Sequence, residues 1–332
     1  MVNSSIQADF PVDFLQDIVI IRVPARLSIL EAVAFKHICQ DLTQEEIRPR
    51  EIIIDFQNTI FIDSSGLGAL VSNFKITQEK GIAFSLNNVN SKVMAILNLT
   101  ELDRVFDIKT AVNIKTTPHH QLLEEQLPTT HPSIRSWMKR LIDIFGSVVG
   151  LVITSILFIP IALAITIDNP GPVFFHQTRY GWMGKRFRIW KFRSMYLGAE
   201  AKKSQVNNQV QGAFFKNDND PRITKVGHFI RRTSLDELPQ FWNVLKGDMS
   251  LVGTRPPTPD EVEKYEVPEW QRFDVKPGMT GEWQVSGRST VRSFEDVIRL
   301  DLQYQKNWSL LHDLHLILKT VIILFNKNSG AM

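Results

Sequence analysis

The chain has 332 residues, of which 43% are hydrophobic and 22% are charged, a length and composition suited to about two globular domains. Its formal net charge of +3 gives no support to a nucleic-acid-binding function. The single cysteine, Cys39, excludes a disulfide within these residues and is typical of a reducing compartment. The first ten residues are polar, so we expect no cleavable signal peptide there.

The N-terminal part of the chain alternates short β-branched runs with segments whose apolar residues recur at helical spacing. This pattern predicts strands at 18–21, 52–56 and 82–86, and helices over 28–46, from 61–70 to about Gly81, and over 91–99. Strands that alternate with helices are typical of a small α/β layer fold. We therefore predict one α/β domain over residues 10–117.

A distinctive motif, Asp63-Ser64-Ser65-Gly66-Leu67-Gly68, stands between the second strand and the second helix. With 52–56 before it and Asn87-Asn88-Val89 after it, the motif resembles the STAS domain of anti-sigma-factor antagonists. The resemblance covers the predicted first domain. It implies a small mixed sheet with helices and a regulatory role.

The serine that follows the aspartate in this motif can be phosphorylated in that family, a role that the resemblance gives to Ser64. A phosphate there would meet free N–H groups at a helix N-terminus, yet it would also add negative charge beside Asp63. The partners implied are a kinase or a regulatory protein that binds the STAS domain. The simpler alternative is that Ser64 or Ser65 only caps the helix.

Residues 118–133 are polar and contain three prolines, which predicts a linker. Farther on, 144–167 is a run of 24 residues without a charge. As a helix, this run would be about 36 Å long, which exceeds the ~30 Å hydrocarbon core of a bilayer. We therefore expect it to enter a membrane.

The surroundings of the apolar run bear on how it lies in the membrane. Pro160 is inside it, and basic residues flank both of its ends. Positive flanks favour the cytoplasmic side for both ends. We predict a re-entrant helix hairpin at about 141–167 that dips into one leaflet. A full span, with the rest of the chain on the opposite side, is the alternative.

Two adjacent carboxylates, Asp236 and Glu237, follow two arginines in the stretch 231–240. A carboxylate can attack a phosphoryl group, its neighbour can hold a divalent cation, and arginines can neutralise phosphate oxygens. The ordinary alternative is an acidic helix start, because acidic residues are favoured in a first turn. The motifs around the pair decide between these readings.

Several ordered motifs accompany the carboxylate pair. They are 169–181, 184–187, 191–195, 252–257 and 276–288. Together they resemble the bacterial sugar transferase family, the monotopic polyprenyl-phosphate phosphoglycosyl transferases of the exopolysaccharide-initiating type. The resemblance covers 134–328, with its catalytic part at about 170–328. It implies a mostly helical α+β monotopic membrane transferase domain with a re-entrant helix hairpin.

The resemblance implies transfer of a sugar 1-phosphate from a UDP-sugar to undecaprenyl phosphate, with release of UMP, at the start of exopolysaccharide or lipopolysaccharide glycan assembly. It makes Asp236 the nucleophile of a covalent aspartyl phospho-sugar intermediate and Glu237 the ligand of Mg²⁺. A direct displacement with both substrates bound is the open alternative. The candidate phosphate-binding residues are Lys191, Arg193, Arg232, Arg255 and Arg288.

The resemblance also implies a location, the cytoplasmic face of the bacterial inner (cytoplasmic) membrane, with that inner leaflet as a partner. No nucleic-acid partner is expected, and a homodimer is left open. The rival function is a STAS signalling or scaffold protein with a non-catalytic, membrane-tethering transferase domain. An anion transporter would need about ten spans, whereas one apolar run of spanning length is present. No motif identifies the sugar.

Overall fold

The computed structural model describes residues 10–44, 49–109, 131–209, 217, 219–286 and 293–325. The chain forms two compact units. The first contains the described residues before 131, and the second contains most of the remainder. Two short segments from within the predicted transferase domain, Met183–Lys185 and Tyr265–Asp274, belong to the first unit.

The first unit is an α/β layer built on a five-stranded sheet. Its elements are β1 (Val12–Leu15), β2 (Ile18–Arg22), β3 (Arg26–Leu27), α1 (Ile29–Gln44), β4 (Glu51–Asp55), β5 (Phe61–Ile62), α2 (Ser64–Glu79), β6 (Ala83–Asn87), α3 (Ser91–Leu99) and β7 (Asp107–Lys109). The sheet order is β1-β2-β4-β6-β7, and β3 pairs with β5 in a separate parallel pair. Only the β1–β2 pairing in the large sheet is antiparallel. The predicted small mixed sheet with helices is confirmed.

The core of this unit lies beneath the central strands, because their alternate side chains point to a helical layer. Ile52 and Ile54 of β4 are fully buried, as are Phe35 of α1 and Leu67 of α2. The predicted elements are present with ends that differ by one or two residues. Residues 118–130 of the predicted linker lie outside the described residues. Its last two residues, Pro132 and Ser133, belong to a short helix that begins at Pro132.

The second unit is mostly helical. Its elements are α4 (Pro132–Arg135), α5 (Trp137–Asp168), β8 (Phe174–Tyr180), β9 (Arg186–Phe192), α6 (Lys225–Arg232), α7 (Gln240–Lys246), β10 (Ser250–Val252), α8 (Pro259–Val262), β11 (Gly278–Thr280), α9 (Glu282–Val285), α10 (Phe294–Lys306) and α11 (Leu310–Phe325). Strands β8 and β9 form an antiparallel hairpin, and β10 pairs with β11 in parallel. The predicted α+β class is confirmed.

Helix α5 contains the whole apolar run and is the one helix, among the residues described, that is long and apolar enough to cross a membrane. It is a single continuous helix with Pro160 inside it. The hairpin predicted over 141–167 is therefore not made of two separate helices. At about 1.5 Å per residue the helix is roughly 48 Å long.

The two faces of α5 are the reverse of those of a helix in a soluble protein. Its buried stripe is largely polar in the first half and recurs at helical spacing: Lys139, Asp143, Ser147, Gly150, Thr154, Ile161 and Ile165. Its outward face is apolar, with Phe145 75% exposed and Ile167 82% exposed. An apolar face of this extent marks a surface that contacts a membrane or a partner.

Two charged residues of the polar stripe, Lys139 and Asp143, bond to other elements of the second unit. Lys139 Nζ lies 2.5 Å from Asp313 Oδ2, and Tyr304 Oη donates to Asp313 Oδ1 at 2.8 Å. Asp143 accepts hydrogen bonds from Ser250 Oγ at 2.9 Å and from the adjacent Leu251 N–H at 2.8 Å. These bonds fix α5 against α11 and β10.

Glycine permits the close approach of α5 to α7. A Cβ atom on Gly150 would lie 2.4 Å from the ring of Phe241 in α7. No side chain fits in that gap without moving the ring. The carboxylate-bearing turn that precedes α7 is consequently held close to α5.

Two buried carboxyl groups lie at the start of α2 in the first unit. Burial and the nearby Asp274 carboxylate raise the pKa of Asp63 to about 7. Burial raises the pKa of Asp274 to about 6, against the lowering effect of its hydrogen bonds from Ser64. Both values lie above the ordinary 3.8, so the folded unit binds protons more tightly than the unfolded chain does.

This shift predicts that the first unit is most stable in mild acid. Its folded-state pKa values are raised, so the extra stability is complete below about 4 and is lost as the pH rises through about 6 and 7. Asp274 alone contributes roughly 2–3 kcal/mol of this change. We expect Asp274→Asn to flatten the dependence of the urea midpoint on pH.

The matched control is Asp107→Asn, which removes an exposed carboxylate from β7 in the same unit. It should retain the wild-type slope. An equal pH dependence in Asp274→Asn and in the wild type would contradict the assignment of the slope to the buried pair.

Candidate functional site

The two predicted catalytic carboxylates lie in one helical turn, Leu235–Glu237, between α6 and α7. The turn is entered through Ser234, whose φ of 55° is left-handed and unfavourable for a residue with a side chain. Leu235 and Leu238 pack against a buried cluster that includes Ile161 and Ile165 of α5. The apolar neighbours of the pair thus hold a strained turn near the long apolar helix.

The two carboxylates have different surroundings. Asp236 is 6% exposed. Glu237 is half-buried and forms an ion pair with Lys191 of β9, with a distance of 2.8 Å between Lys191 Nζ and Glu237 Oε1. The structure thus places a cation, Lys191, beside the acidic pair. It does not by itself assign a chemical role to either carboxylate.

A second ion pair lies in the same unit between Arg255 and Glu261. The guanidinium donates two bonds to the carboxylate, from Nη1 at 2.8 Å and from Nη2 at 3.0 Å. Burial alone would raise the pKa of Glu261, but the charges of Arg255 and Arg179 and the hydrogen bonds of Arg255 and Thr258 lower it to about 2. Glu261 therefore remains ionised and fixes the Arg255 fork.

Arg179 of β8 joins this cluster, although it was not among the predicted phosphate-binding residues. Its Nη1 donates to the Pro256 carbonyl at 2.9 Å and its Nη2 to Gln177 Oε1 at 2.8 Å. Burial and the neighbouring Arg255 lower its pKa to about 10, while the negative charges of Glu261 and Glu237 act in the opposite direction. Its Nε atom has no hydrogen-bond partner within the described part of the chain.

Two residues of this cluster, Arg179 and Glu261, were not among the predicted site residues, although Arg179 lies in the motif 169–181. A signal for Glu261 was available, because Thr258 and Glu261 have the spacing of a capping box and do form one at the start of α8. Arg179 has no comparable local signal. Its burial depends on chain segments that are distant in sequence.

Two other predicted phosphate-binding residues, Arg193 and Arg232, have different surroundings. Arg193 is buried and donates to Asn169 at both the side-chain oxygen, 2.8 Å from Nη1, and the backbone carbonyl. It therefore ties the chain after β9 to the end of α5. Arg232 is exposed at the last position of α6. Arg288 lies outside the described residues.

The donor set was also tested against the expected Mg²⁺. Among the residues that the structure describes, no group of three or more histidine, cysteine or acidic side chains could hold a metal by itself. Mg²⁺ in phosphate-processing sites is commonly held by one or two carboxylates together with substrate phosphates and waters. The adjacent Asp236 and Glu237 fit such a shared site.

Comparison with known proteins divides the sequence into two matched regions. Residues 134–327 match the family model described as bacterial sugar transferase, and residues 9–118 match that of the STAS domain. A solved structure of an anti-sigma-factor antagonist (STAS) domain protein from Planctomyces limnophilus is 26% identical, covers 32% of this chain and 92% of its own, and gives a TM-score of 0.28.

Several relatives of known name match the second region. The chain is 52% identical over 185 residues to the galactosyl transferase CpsE of Streptococcus agalactiae serotype III, which covers 55% of this chain and 41% of CpsE. It is 43% identical over 200 residues to the undecaprenyl-phosphate galactose phosphotransferase of Salmonella typhimurium, over 58% of this chain and 42% of the relative. The chain thus spans less than half the length of these two relatives.

A shorter relative matches over nearly all of its length. The exopolysaccharide production protein ExoY of Rhizobium meliloti is 36% identical over 228 residues, which are 64% of this chain and 96% of ExoY. The sugar transferase match alone covers more than half of the present chain. The chain therefore belongs to the bacterial sugar transferase family and carries a STAS domain in its N-terminal part.

Proposed function

We propose that this protein transfers a sugar 1-phosphate from a UDP-sugar to undecaprenyl phosphate, releases UMP, and so begins the assembly of exopolysaccharide or lipopolysaccharide glycan. The observation that carries the proposal is the turn Leu235–Glu237, which contains two adjacent carboxylates. The turn packs near α5, and Lys191 forms an ion pair with Glu237. The similarity to the undecaprenyl-phosphate galactose phosphotransferase of Salmonella typhimurium supports the same substrate class.

In the proposed reaction the Asp236 carboxylate attacks the phosphorus that carries the sugar. The bond from that phosphorus to the UMP oxygen breaks, UMP leaves, and an aspartyl phospho-sugar remains. An oxygen of undecaprenyl phosphate then attacks the same phosphorus, and the bond to Asp236 breaks to regenerate the carboxylate. Each half is a phosphoryl transfer, so a ping-pong order follows.

In this scheme the strained turn orients the Asp236 carboxylate for attack. A nucleophile must approach the phosphorus in line with the leaving oxygen, and small misplacements are costly. Ser234 is held in a left-handed conformation and the leucines on either side of the pair are packed on α5. Asp236 is thus oriented before the donor binds, and its burial limits competition from water.

The cationic residues would screen the charge of the donor. Arg255 is held by two hydrogen bonds to Glu261, and the buried Arg179 lies close enough to both for their charges to affect its pKa. Such a cluster, preorganised by fixed hydrogen bonds, is suited to stabilise a diphosphate as it gains charge on the leaving group. Mg²⁺ held by Glu237, with Asp236 adjacent, would supply further neutralisation of the diphosphate.

The lipid acceptor accounts for the apolar surface of the second unit. Like the outward face of α5, helix α11 exposes large apolar side chains: Leu311 is 79% exposed and Leu318 is 64% exposed. We place these surfaces in the inner leaflet of the bacterial inner membrane, with the catalytic part on the cytoplasmic face. Basic residues on both flanks of α5 favour that side.

The first prediction concerns the nucleophile. Asp236→Asn keeps the shape of the side chain but removes the attacking oxygen charge, so we expect UMP release to fall at least about 1,000-fold. The measurement is UMP release from a panel of UDP-sugars with Mg²⁺, with and without undecaprenyl phosphate. Asp296→Asn, an exposed carboxylate of α10, is the matched control and should retain activity.

Two results would count against this assignment. Full activity in Asp236→Asn would remove Asp236 from the chemistry, and release of UMP that strictly requires undecaprenyl phosphate would favour direct displacement. If no donor gives UMP with the wild type, the non-catalytic scaffold becomes the better account.

The second prediction concerns Arg255. Arg255→Lys keeps the positive charge but loses the two-pronged bond to Glu261, so the cation is no longer fixed. We expect kcat/KM for the UDP-sugar to fall by about 10- to 100-fold. The control is Arg299→Lys, an exposed arginine paired with Asp296, and an effect of equal size there would show that the loss is not specific to the cluster.

The third prediction concerns the topology of α5. Single cysteines at Arg135 and Pro172, which are exposed positions on either side of the helix, are introduced with Cys39 replaced by serine. A membrane-impermeant maleimide should label both from the cytoplasmic side only, because we expect both flanks there. Arg299→Cys marks that side. Labelling of the two flanks from opposite sides would establish a full span.

A further inference from the structure

Ten residues from within the sugar transferase sequence, Tyr265–Asp274, form part of the compact unit that contains the STAS domain. The segment lies on α2, where the ring of Trp270 occupies the space above Gly68. A Cβ atom on Gly68 would lie 2.3 Å from that ring. An ion pair between Lys36 of α1 and Glu266 adds a second point of attachment. The segment thus contacts this surface through both ring packing and an ion pair.

The last residue of the segment contacts the serine of the STAS motif. Ser64 donates to Asp274 Oδ1 from its hydroxyl, and its backbone N–H lies 3.3 Å from the same oxygen. Ser64 is 0% exposed. Asp63, not Ser64 or Ser65, is the N-cap of α2, because its carboxylate accepts a 2.9 Å hydrogen bond from Gly66 N–H. The Ser64 hydroxyl is therefore used for the contact with Asp274 and not for capping.

We propose that the Ser64 face of the STAS domain is a docking surface whose occupant is the chain's own Tyr265–Asp274 segment, and that a negative charge on Ser64 releases this segment. The partner of the STAS domain is then a piece of the transferase sequence itself. This inference goes beyond the proposed transfer reaction and does not depend on it.

Electrostatics give the reason for release. The Ser64 hydroxyl contacts the carboxylate of Asp274, and burial together with the charge of Asp274 raises the pKa of the adjacent Asp63. Glu31 adds a further negative charge. Among the described groups that set the two pKa values, none is a cation. A new anion at position 64 would therefore be buried against like charge without a counter-ion.

The test uses hydrogen exchange of the full-length protein in nanodiscs, at a pH well above the pKa values of both carboxyl groups. We expect Ser64→Asp to speed amide exchange of residues 265–274 by about tenfold or more, because like charges then face each other. The double variant S64D/D274N should bring exchange back to within about twofold of the wild type, since the asparagine can donate to the new carboxylate.

The matched control is Ser91→Asp, the same substitution at the exposed first residue of α3 in the same unit. It should leave exchange of 265–274 unchanged. Wild-type exchange in Ser64→Asp would overturn the proposal. Exchange in S64D/D274N that stays as fast as in Ser64→Asp would also overturn it, because damage to the start of α2 would then explain the effect.

A second variant tests docking without a charge at position 64. Gly68→Ala improves helix propensity, yet its methyl group overlaps the ring of Trp270. We expect faster exchange of 265–274 together with unchanged exchange of the sheet strands. If Ser64→Asp fails to fold, this result tests docking of the segment by itself. Unchanged exchange of residues 265–274 in Gly68→Ala would show that this surface does not hold the segment. The readout is independent of UMP release, so the transfer reaction can fail or succeed separately.

Discussion

The second unit depends on burying the polar side of an otherwise apolar helix. Lys139 of α5 is neutralised by Asp313 of α11, and Asp143 is satisfied by β10. A buried charge without its partner costs several kcal/mol, so the positions of α11 and β10 are tied to that of α5. The apolar surface left over faces outward, so the internal packing and the exposed apolar face of α5 follow from one pattern.

The carboxylate turn takes its position from the same helix. Leu235 and Leu238 pack against a buried cluster that includes Ile161 and Ile165 of α5, while a glycine lets α7 approach α5 closely. Short ion pairs join Lys191 and Arg255 to acidic residues. The carboxylate turn is thereby positioned by the same helix whose other face is apolar and exposed.

The sequence was sufficient where the signal is local. Strands such as β4 and helices such as α5 follow from periodicity, and the acidic pair was found from its motif. It was insufficient where the contact is distant. The sequence did not predict that Arg193, a candidate phosphate-binding residue, bonds to Asn169 at the end of α5, or that Tyr265–Asp274 lies with the STAS unit. The partners of a side chain, and the unit with which a segment packs, depend on tertiary packing, which periodicity does not encode.

The complete burial of Ser64 has a consequence for the order of events. A modifying enzyme needs the hydroxyl in the open, yet that hydroxyl is covered as long as Asp274 is bound to it. A modification of Ser64 would therefore have to wait for a spontaneous local opening, and its rate would be proportional to the small fraction of molecules that are open at any moment. Anything that stabilises the covered form would lower that fraction and slow the modification in proportion. The STAS domain would then act as a timer as well as a switch.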